Sequence, residues 1–577
     1  MAEQQTHDVI VIGSGAAGLT AAVTAAHHGL SVLVLEKHAR FGGTSAWSGG
    51  WLWVPRNPLA REAGMVEDKE TIRRYLRAAI GNRYDGPRIE AFLTAAPRMV
   101  GFLRDRLGME WRDGNTIPDM LGDLPGAGTG GRSVTAAPFD GRRLGARLTL
   151  LRRPKPETAF FGMGIGAGDD LRHFMQAARS PRSLAHVSRR LLRHLWDSAV
   201  HGRGRHLVNG NALVARLAEI AFAQGTEIRV GAPVLRLVQQ SGRVTGVETA
   251  DGVRIVARRG VVLAAGGYPA DPLRRRDSFP HAPTGAEHWT AAPPENTGDG
   301  LRLGEGAGGR VATDLTHPAA WAPVSLVPRR DGRPGHFPHL IERAKPGLVA
   351  VRADGRRFVN EADGYHQVIG RLIEVTQAGD EPVCWLIADH RFLRRYGLGH
   401  AKPAPVPLMA ALRSGYLRRG RTLAALARDC GIDPQGLEAE IAEYNRHAAK
   451  GLDPQFGRGG SAYNRANGDP AHAPNPCIAP IETGPFYAVK IVPGSLGTFA
   501  GLRVDPLARV LNVAAQPIPG LYAVGTDAAS VMGGSYPAGG INLGPGMAFG
   551  FVAGRDLAGL PVLQDDSEDS DKKEMSA

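Results

Sequence analysis

Residues 7–36, HDVIVIGSGAAGLTAAVTAAHHGLSVLVLE, decide the fold class of this chain. The first residues form a near-continuous apolar run, which is typical of a buried parallel strand. An alanine-rich segment follows and predicts a helix that ends at Gly29, and SVLVLE predicts a second strand. The stretch therefore predicts a β–α–β unit at the start of an α/β domain.

Three glycines lie between the first strand and the helix with G-x-G-x-x-G spacing, Gly13, Gly15 and Gly18. The first allows a tight turn, the second lets the backbone approach a pyrophosphate, and the third permits close packing of helix on strand. Glu36 ends the second strand about 20 residues later, where a carboxylate can accept hydrogen bonds from ribose hydroxyls. Together these features predict a dinucleotide site at the helix N-terminus.

Three later segments favour FAD over NAD as the dinucleotide. They are a Gly/Ser/Thr-rich loop at 37–50, a strand ending in small residues at 259–268, and a late strand with an acid suited to a ribityl chain at 520–530. Each segment alone is also typical of a structural glycine turn. Besides Gly13, Gly15, Gly18 and Glu36, the predicted cofactor residues are Ser14, Ala16, Ala17, Lys37, Gly43, Thr44, Ser45, Ser48, Gly49, Gly50, Val234, Ala265, Gly266, Gly525, Asp527, Asn542 and Leu543.

Composition and cysteine spacing limit the classes of protein to which the chain can belong. The 577 residues are 43% hydrophobic and 22% charged, as expected of a globular protein with more than one core. Cys384, Cys430 and Cys477 are too widely spaced for a disulfide framework or a metal site, so no metal is predicted. The N-terminal residues lack the pattern of a signal peptide and no long apolar run occurs. We therefore expect a cytoplasmic enzyme.

The order of strand patterns predicts four segments. Residues 1–290 form the first part of an FAD-binding domain with an Arg-rich insertion at 140–205, and residues 291–482 form a substrate or catalytic cap domain. Residues 483–565 complete the FAD-binding domain. Residues 566–577 are charged and nearly devoid of apolar groups, which predicts a disordered tail.

Much of the formal charge of +13 lies at 142–153 and 172–205. In the second stretch Leu184, Val187, Leu191 and Leu195 recur at roughly helical spacing, which predicts a surface helix with a solvated Arg face. A helix on a membrane surface is the alternative, and it gives the predicted location a peripheral membrane contact as a second option. Nucleic-acid binding is not expected, because no recognition motif accompanies the charge.

The chain resembles the fumarate reductase/3-ketosteroid dehydrogenase flavoproteins over nearly its whole length. The resemblance rests on GSGAAG, TSAWSGGWLWVPRN, PDMLGDLPGAGTGGRS, NTGDG, GRRFVNEADGY, GLYAVGTDAAS and YPAGGINLGPG, and it is weakest at about 140–205. It implies a glutathione-reductase-like, Rossmann-type FAD domain with an inserted α+β catalytic domain. Because the site of covalent flavin attachment in related enzymes has no clear counterpart, non-covalent FAD is expected.

Two segments place the resemblance closest to the 3-ketosteroid 1-dehydrogenases. Tyr365 stands where fumarate and urocanate reductases are expected to carry an Arg acid, and Tyr536 and Gly540 are spaced as in the ketosteroid enzymes. The resemblance implies that Tyr536 and the Gly540 N–H bind the substrate ketone while Tyr365 removes a proton from the adjacent carbon. Hydride then passes to the flavin and a conjugated enone remains.

One departure weakens this assignment. The ketosteroid enzymes carry a helper Tyr just after Pro-Asp, and here Met120 and Leu121 occupy that place. A phenol has an unperturbed pKa of about 10 and is a poor base near neutrality without help. Either another group supports Tyr365, with His366 and His339 as candidates, or the substrate and activity have changed.

The leading hypothesis is a dehydrogenase that forms a double bond next to the ketone of a steroid-like hydrophobic substrate. One alternative is a flavin-dependent reductase of activated alkenes, and another is a membrane-docking flavoprotein whose FAD is structural. The sequence contains no second Rossmann motif for NAD(P)H, so a quinone, a dye-like carrier or oxygen is expected as the external electron acceptor.

Overall fold

The computed structural model describes residues 5–562, so the predicted tail at 566–577 lies outside the described residues. Within that range the strands are β1 Gln5–Ile12, β2 Val32–Glu36, β3 Trp51–Trp53, β4 Trp111–Asp113, β5 Ser133–Ala136, β6 Phe139–Asp140, β7 His206–Leu207, β8 Glu227–Val230, β9 Val234–Gln240, β10 Arg243–Thr249, β11 Arg254–Leu263, β12 Ala319–Val327, β13 Gly335–Pro338, β14 Leu348–Val351, β15 Cys384–Ala388, β16 Arg418–Gly420, β17 Phe486–Thr498, β18 Arg509–Leu511 and β19 Pro517–Ala523.

The α-helices of the same range are α1 Ala16–His27, α2 Pro58–Glu62, α3 Lys69–Ile80, α4 Gly86–Asp105, α5 Asp169–Gln176, α6 Pro181–His201, α7 Asn209–Ala223, α8 Pro272–Ser278, α9 Asp299–Gly306, α10 Tyr365–Val375, α11 His390–Tyr396, α12 Met409–Arg413, α13 Leu423–Cys430, α14 Pro434–Ala448, α15 Ala462–Asn467 and α16 Leu543–Leu557. Short 3₁₀ turns add Ser45–Trp47, Gly81–Arg83, Gly141–Leu150, Glu342–Ala344 and Gly525–Asp527.

The first sheet has the order β18-β19-β11-β1-β2-β8, and β19, β11, β1, β2 and β8 run parallel. The apolar run Val9–Ile12 of β1 is buried between β2 and β11, which confirms the predicted β–α–β unit. The hairpin of β9 and β10 joins antiparallel to β11, as the sequence predicted for this region.

Helix α1 packs closely on α16, and glycines make this approach feasible. A Cβ added at Gly550 would lie 2.4 Å from the Ala17 carbonyl oxygen, and one at Gly554 would lie 2.7 Å from the Thr24 Cβ. Gly29 follows α1 with a φ of +80°, a backbone conformation that glycine adopts at little cost. The two ends of the chain therefore meet in one core around the first sheet.

A second sheet has the order β13-β12-β17-β15-β14, with β16 beside β17, and its pairs are antiparallel. Strand β17 lies in the middle of this sheet and not in the first one. The boundary expected at residue 483 is therefore wrong for this strand, and the chain rejoins the first sheet only at β18. The reason is that β17 buries its apolar residues against β12 and β15.

Candidate active site

A cleft of about 1520 Å³ lies between the carboxyl ends of the parallel strands and the second sheet. All residues predicted for the site line this cleft except Gly18 and Asp527. The structure therefore brings together side chains from both ends of the chain and from the segment around Tyr365. Within residues 5–562, no helix is both long and apolar enough to span a membrane.

The glycine-rich turn has the shape that a dinucleotide requires. Gly13 has a φ of +108°, and a Cβ there would lie 2.2 Å from the Ala264 carbonyl oxygen. A Cβ at Gly18 would lie 2.4 Å from the Gly13 carbonyl oxygen, so this glycine serves helix packing, and its absence from the cleft wall follows from that role. A Cβ added at Gly15 would meet only the Ser45 Oγ, at 3.4 Å, so the backbone there is left open to a pyrophosphate.

Glu36 lies at the end of β2 and faces the same turn. Its carboxylate accepts from the Ser14 hydroxyl at 2.5 Å, and the Ser14 Oγ accepts from the Gly42 N–H at 2.9 Å. The neighbouring Lys37 forms an ion pair with Asp299. These contacts hold an acceptor and a cation on the cleft wall, where ribose hydroxyls and phosphate can meet them.

The Gly/Ser/Thr-rich loop is tied to the other segments by side-chain amides and hydroxyls. The Ser45 Oγ accepts from the Ala16 N–H at 3.0 Å. The Asn296 Nδ2 donates to the Thr44 Oγ1 at 2.8 Å and to the Gly266 carbonyl at 3.0 Å. One asparagine therefore joins the loop after β2 to the loop after β11.

Asp527 differs from the expectation that its carboxylate reaches the ribityl chain. It is fully buried and accepts from the N–H groups of Ala265 at 2.5 Å and Gly267 at 2.9 Å. Burial raises the pKa of this carboxyl to about 6. Each oxygen of the carboxylate accepts a hydrogen bond from the loop behind the cleft. Asp527 therefore shapes the wall formed by Ala265 and Gly266.

Helix α16 begins at the cleft with Leu543, after Asn542 as its N-cap. Helix α1 begins there too, after Gly15. Two helix N-termini thus present backbone N–H groups and positive dipole ends to one cavity. This donor set, together with the open backbone at Gly15 and the carboxylate of Glu36, fits an FAD molecule with its phosphates at α1.

Two phenols meet at the other end of the cleft. Tyr365 is the first residue of α10, and its hydroxyl donates to the Tyr536 hydroxyl at 2.7 Å. The rings pack edge to face at 5.0 Å, and both side chains are buried. Burial is the main reason that both phenols have a raised pKa, and each phenol lies near the other. Both phenols are therefore protonated in the substrate-free enzyme at neutral pH.

A buried ionic network fixes the segment that leads to Tyr365. The Glu361 carboxylate pairs with Arg357 at 2.8 Å and with Arg458 at 3.1 Å, and Arg357 also pairs with Asp453 at 2.8 Å. These groups are at most 2% exposed, and the opposite charges lower the pKa of Glu361 despite its burial. These ion pairs join the segment just before Tyr365 to Asp453 and Arg458, about 100 residues further along the chain.

Gly540 provides a backbone donor beside the phenols. Its φ is +98°, and a Cβ would lie 2.7 Å from both the Trp51 carbonyl oxygen and the Trp53 nitrogen. Its own carbonyl accepts from the Trp53 N–H at 3.2 Å, whereas no acceptor for its N–H is found between residues 5 and 562. A ligand oxygen can therefore take this hydrogen bond.

The groups suggested as helpers of Tyr365 have other contacts. His366 Nδ1 accepts from the Trp321 N–H at 3.1 Å, and burial lowers its pKa well below the usual range. His339 lies between Glu342 and Ser325, at 2.7 Å from each. Neither histidine hydrogen-bonds to Tyr365 in the described part of the chain, so no hydrogen bond supports the hypothesis that one of them assists it.

Sequence reasoning missed Tyr463, a buried residue of α15 that also lines the cleft. It lies close enough to influence the pKa of both Tyr365 and Tyr536, and burial raises its own pKa to about 12. No motif surrounds it in the sequence, so no sequence signal could have found it. Met120 also lines the cleft, next to Gly364 and Gly539.

The Arg-rich segment forms the helices α5 and α6, as predicted, but one side of it faces the cleft. Leu184, Val187 and Leu191 of α6 line the cavity, together with Leu171 and Phe174 of α5. The prediction of a surface helix with a solvated Arg face did not say what its apolar side packs against, and the structure places part of that side on the cavity.

Comparison with known proteins gives the class of the chain. Residues 8–543 match the FAD binding domain family, and the chain belongs to this family. FAD is therefore confirmed as its cofactor.

Two curated relatives and one solved structure are similar over almost the whole chain. The 4-oxocyclohex-2-ene-1-carboxylate 5-dehydrogenase of Sinomonas cyclohexanicum is 40% identical, over 96% of this chain and 94% of its own length. The 3-oxosteroid 1-dehydrogenase of Mycobacterium tuberculosis (strain ATCC 25618 / H37Rv) is 35% identical, over 96% and 98%. The crystal structure of 3-ketosteroid delta1-dehydrogenase from Sterolibacterium denitrificans, in complex with 1,4-androstadiene-3,17-dione, is 35% identical, covers 96% of this chain and 100% of that chain, and has a TM-score of 0.87.

These comparisons confirm the predicted enzyme class, an FAD-dependent dehydrogenase. A flavoprotein with purely structural FAD is therefore not supported.

Proposed function

We propose that this enzyme introduces a carbon–carbon double bond next to the ketone of a cyclic substrate, with a steroid-like ring system as the leading candidate. The observation that carries the proposal is the phenol pair, with Tyr365 and Tyr536 joined at 2.7 Å beside the open N–H of Gly540. The pocket holds two hydrogen-bond donors, the Tyr536 hydroxyl and the Gly540 N–H, and one group that can take a proton, the Tyr365 phenol. This set suits a ketone whose adjacent carbon loses a proton.

In this proposal the ketone oxygen takes hydrogen bonds from the Tyr536 hydroxyl and the Gly540 N–H. Both donors stabilise the enolate character that develops when the adjacent carbon loses its proton. Tyr365 takes that proton once its own hydroxyl has released a proton to solvent, because only the phenolate is a base. When bound, FAD supplies a two-electron acceptor for hydride. The residues lining the cleft around the phenols exclude water from the reacting atoms.

The site lacks the group that a dicarboxylate reductase would need at the same place. Position 365 carries a phenol, and no arginine among residues 5–562 hydrogen-bonds to the hydroxyl of Tyr365 or Tyr536. Planar bidentate guanidinium groups are the natural partners of carboxylates. The arrangement therefore favours a ketone over a small diacid at the reacting end.

One observation supports a second substrate candidate, a ring ketone that carries a carboxylate. Lys402 lines the cleft, burial lowers its pKa, and no described carboxylate lies within ion-pair distance of its ammonium group. Its contacts are the Gly399 carbonyl at 3.4 Å and the face of Phe337 at 5.1 Å. A cation with so few partners is suited to a substrate carboxylate, and the name of the Sinomonas relative includes a carboxylate substrate for that enzyme.

Anaerobic stopped-flow mixing of the FAD-loaded enzyme tests the proposal. We expect a saturated 3-ketosteroid to bleach the oxidised flavin. If 4-oxocyclohexanecarboxylate bleaches it faster, the second substrate candidate is favoured, and Lys402→Gln should then raise KM for the acid while Lys490→Gln, a surface lysine, leaves it unchanged. Reoxidation of reduced enzyme by an enone without oxygen, with no bleaching by either ketone, would favour the reductase alternative.

A further inference from the structure

A buried guanidinium group, that of Arg343, is bound to the backbone segment that leads to Tyr365. Arg343 lies in the 3₁₀ turn Glu342–Ala344 and is 2% exposed. Its guanidinium donates to the carbonyl oxygen of Glu361 and, at 3.1 Å, to that of Asp363. Because Asp363 precedes Tyr365 by two residues, the cation is attached directly to the start of α10.

The charge of Arg343 has no carboxylate within ion-pair distance in the described part of the chain. Its other hydrogen bonds go to the carbonyl oxygens of His339 at 3.0 Å and Leu340 at 3.4 Å. The carboxylate of the adjacent Glu342 lies 2.7 Å from the His339 ring instead. Burial lowers the pKa of Arg343, yet a guanidinium in a protein stays protonated. The turn therefore keeps a full positive charge among neutral carbonyl groups.

Two other arginines of this region differ from Arg343 in this respect. Arg357 pairs with both Glu361 and Asp453, and Arg458 pairs with Glu361. Two carboxylates thus compensate these two cations, whereas Arg343 adds an uncompensated one. A buried charge is costly when no opposite charge lies beside it. Such a charge is suited to a position where a negative charge forms during the reaction.

Two phenols of the cleft are influenced by this charge. Burial is the main cause of the raised pKa of Tyr365, and Arg343 acts against it, because a nearby cation favours the phenolate. Arg343 acts in the same direction on the pKa of Tyr463 and is the largest influence there after burial. The turn that carries Arg343 also contacts α15, the helix of Tyr463. The other titratable or charged groups that face Arg343 are Glu342, Asp363, Cys384 and Arg458, and those that face Tyr365 are Tyr463 and Tyr536.

We propose that Arg343 is a positioning residue whose positive charge stabilises the phenolate of Tyr365. The phenolate forms when the Tyr365 hydroxyl releases its proton to solvent, and it becomes a phenol again when it takes the proton from the carbon next to the ketone. Arg343 stays protonated throughout. The inference rests on the proposed function, because it assigns a supporting group to the base. It also provides an electrostatic support for Tyr365 where Met120 and Leu121 replace the helper Tyr of the ketosteroid enzymes.

Ionisation of Tyr365 in the FAD-loaded, substrate-free enzyme tests the proposal without any turnover. With 3-fluorotyrosine incorporated at position 365, fluorine NMR follows this phenol as the pH is raised, and fluorination makes the phenol more acidic. Arg343→Gln removes the charge and keeps amide donors for the carbonyl groups. We expect it to reduce the equilibrium constant for phenolate formation about tenfold or more. Arg343→Lys keeps a cation and should reduce the constant by less than about threefold.

Arg371→Gln is the matched control, because Arg371 lies on α10 with Tyr365 but is 48% exposed beside Glu374. Solvent screens its charge, so the ionisation of Tyr365 should not change. If Arg343→Gln does not fold, Leu340→Glu makes the same test with Arg343 in place, since the new carboxylate beside the guanidinium compensates its charge. Leu340→Glu should reduce phenolate formation about tenfold relative to Leu340→Gln.

The outcomes separate this inference from the proposed function. An ionisation of Tyr365 that neither Arg343→Gln nor Leu340→Glu changes would overturn the role of Arg343. Equal losses in Arg343→Gln and Arg343→Lys would also overturn it, because they would show that the hydrogen bonds matter and the charge does not. A Tyr365 that stays protonated in the wild type at every pH where the enzyme is folded would have the same meaning. Failure of every ketone to bleach the wild-type flavin would instead count against the proposed function alone.

Discussion

The phenol oxygens of Tyr365 and Tyr536 lie 2.7 Å apart, although 171 residues separate the two tyrosines along the chain. Tyr365 begins α10, which packs on the second sheet. Tyr536 precedes α16, which packs on α1, the helix that follows β1 of the first sheet. The site therefore exists only where the two sheets meet, and its chemistry depends on both.

Replacing Tyr365 by Phe removes the proton acceptor and keeps the packing of the ring. We expect flavin reduction by substrate to slow by about 10²- to 10⁴-fold with unchanged FAD content. Anaerobic stopped-flow absorbance measures the rate. Tyr444→Phe is the control, because the Tyr444 hydroxyl is buried without a partner in the described structure. A Tyr365→Phe enzyme with the wild-type rate would exclude Tyr365 from the reaction.

The activity should rise with pH. Burial is the main cause of the raised pKa of Tyr365, and the nearby Tyr536 raises it further. Only a small fraction of Tyr365 is therefore phenolate at neutral pH. Each pH unit increases that fraction about tenfold, and kcat/KM should rise accordingly from pH 7 to 9. Steady-state rates across this range test the sign. A flat profile in wild-type enzyme would mean that Tyr365 does not act as the base.

Gly13→Ala should abolish FAD binding. Its Cβ would lie 2.2 Å from the Ala264 carbonyl oxygen, and φ is +108°. Gly29→Ala is a matched control, because Gly29 also has a positive φ, +80°, but open space around it. That variant should lose only about 1 kcal/mol of stability and keep its flavin. The flavin-to-protein absorbance ratio after purification separates the two. Equal flavin content in both variants would contradict the assigned role of Gly13.

Glu361→Gln should destabilise the enzyme by about 3 kcal/mol, because it leaves Arg357 and Arg458 buried without full compensation. Urea unfolding of the FAD-loaded protein gives the change in free energy. Glu381→Gln, at an exposed pair with Lys490, should change stability by less than about 1 kcal/mol. A similar small effect at Glu361 would show that the network does not hold the segment before Tyr365.

The sequence by itself determined the β–α–β unit, the dinucleotide turn and the helical character of α6. Each of these depends on contacts within a few residues: an apolar run, three glycines at fixed spacing, or apolar side chains at helical spacing. Tyr365, Tyr536 and Gly540 were identified through resemblance to a family, since no local pattern shows that two phenols will meet.

Four features were decided by the tertiary structure alone. Two of them are the sheet that receives β17 and the direction of the Asp527 carboxylate. The others are the position of Tyr463 beside the other two phenols and the division of α6 into a face toward the cavity and a face toward solvent. An apolar strand pattern is the same in either sheet, because the partner that buries it is distant in sequence. A carboxylate likewise bonds to whichever N–H groups the fold brings near it. Helix, strand and turn preferences depend on neighbouring residues. Burial and hydrogen-bond partners depend on how segments hundreds of residues apart pack together.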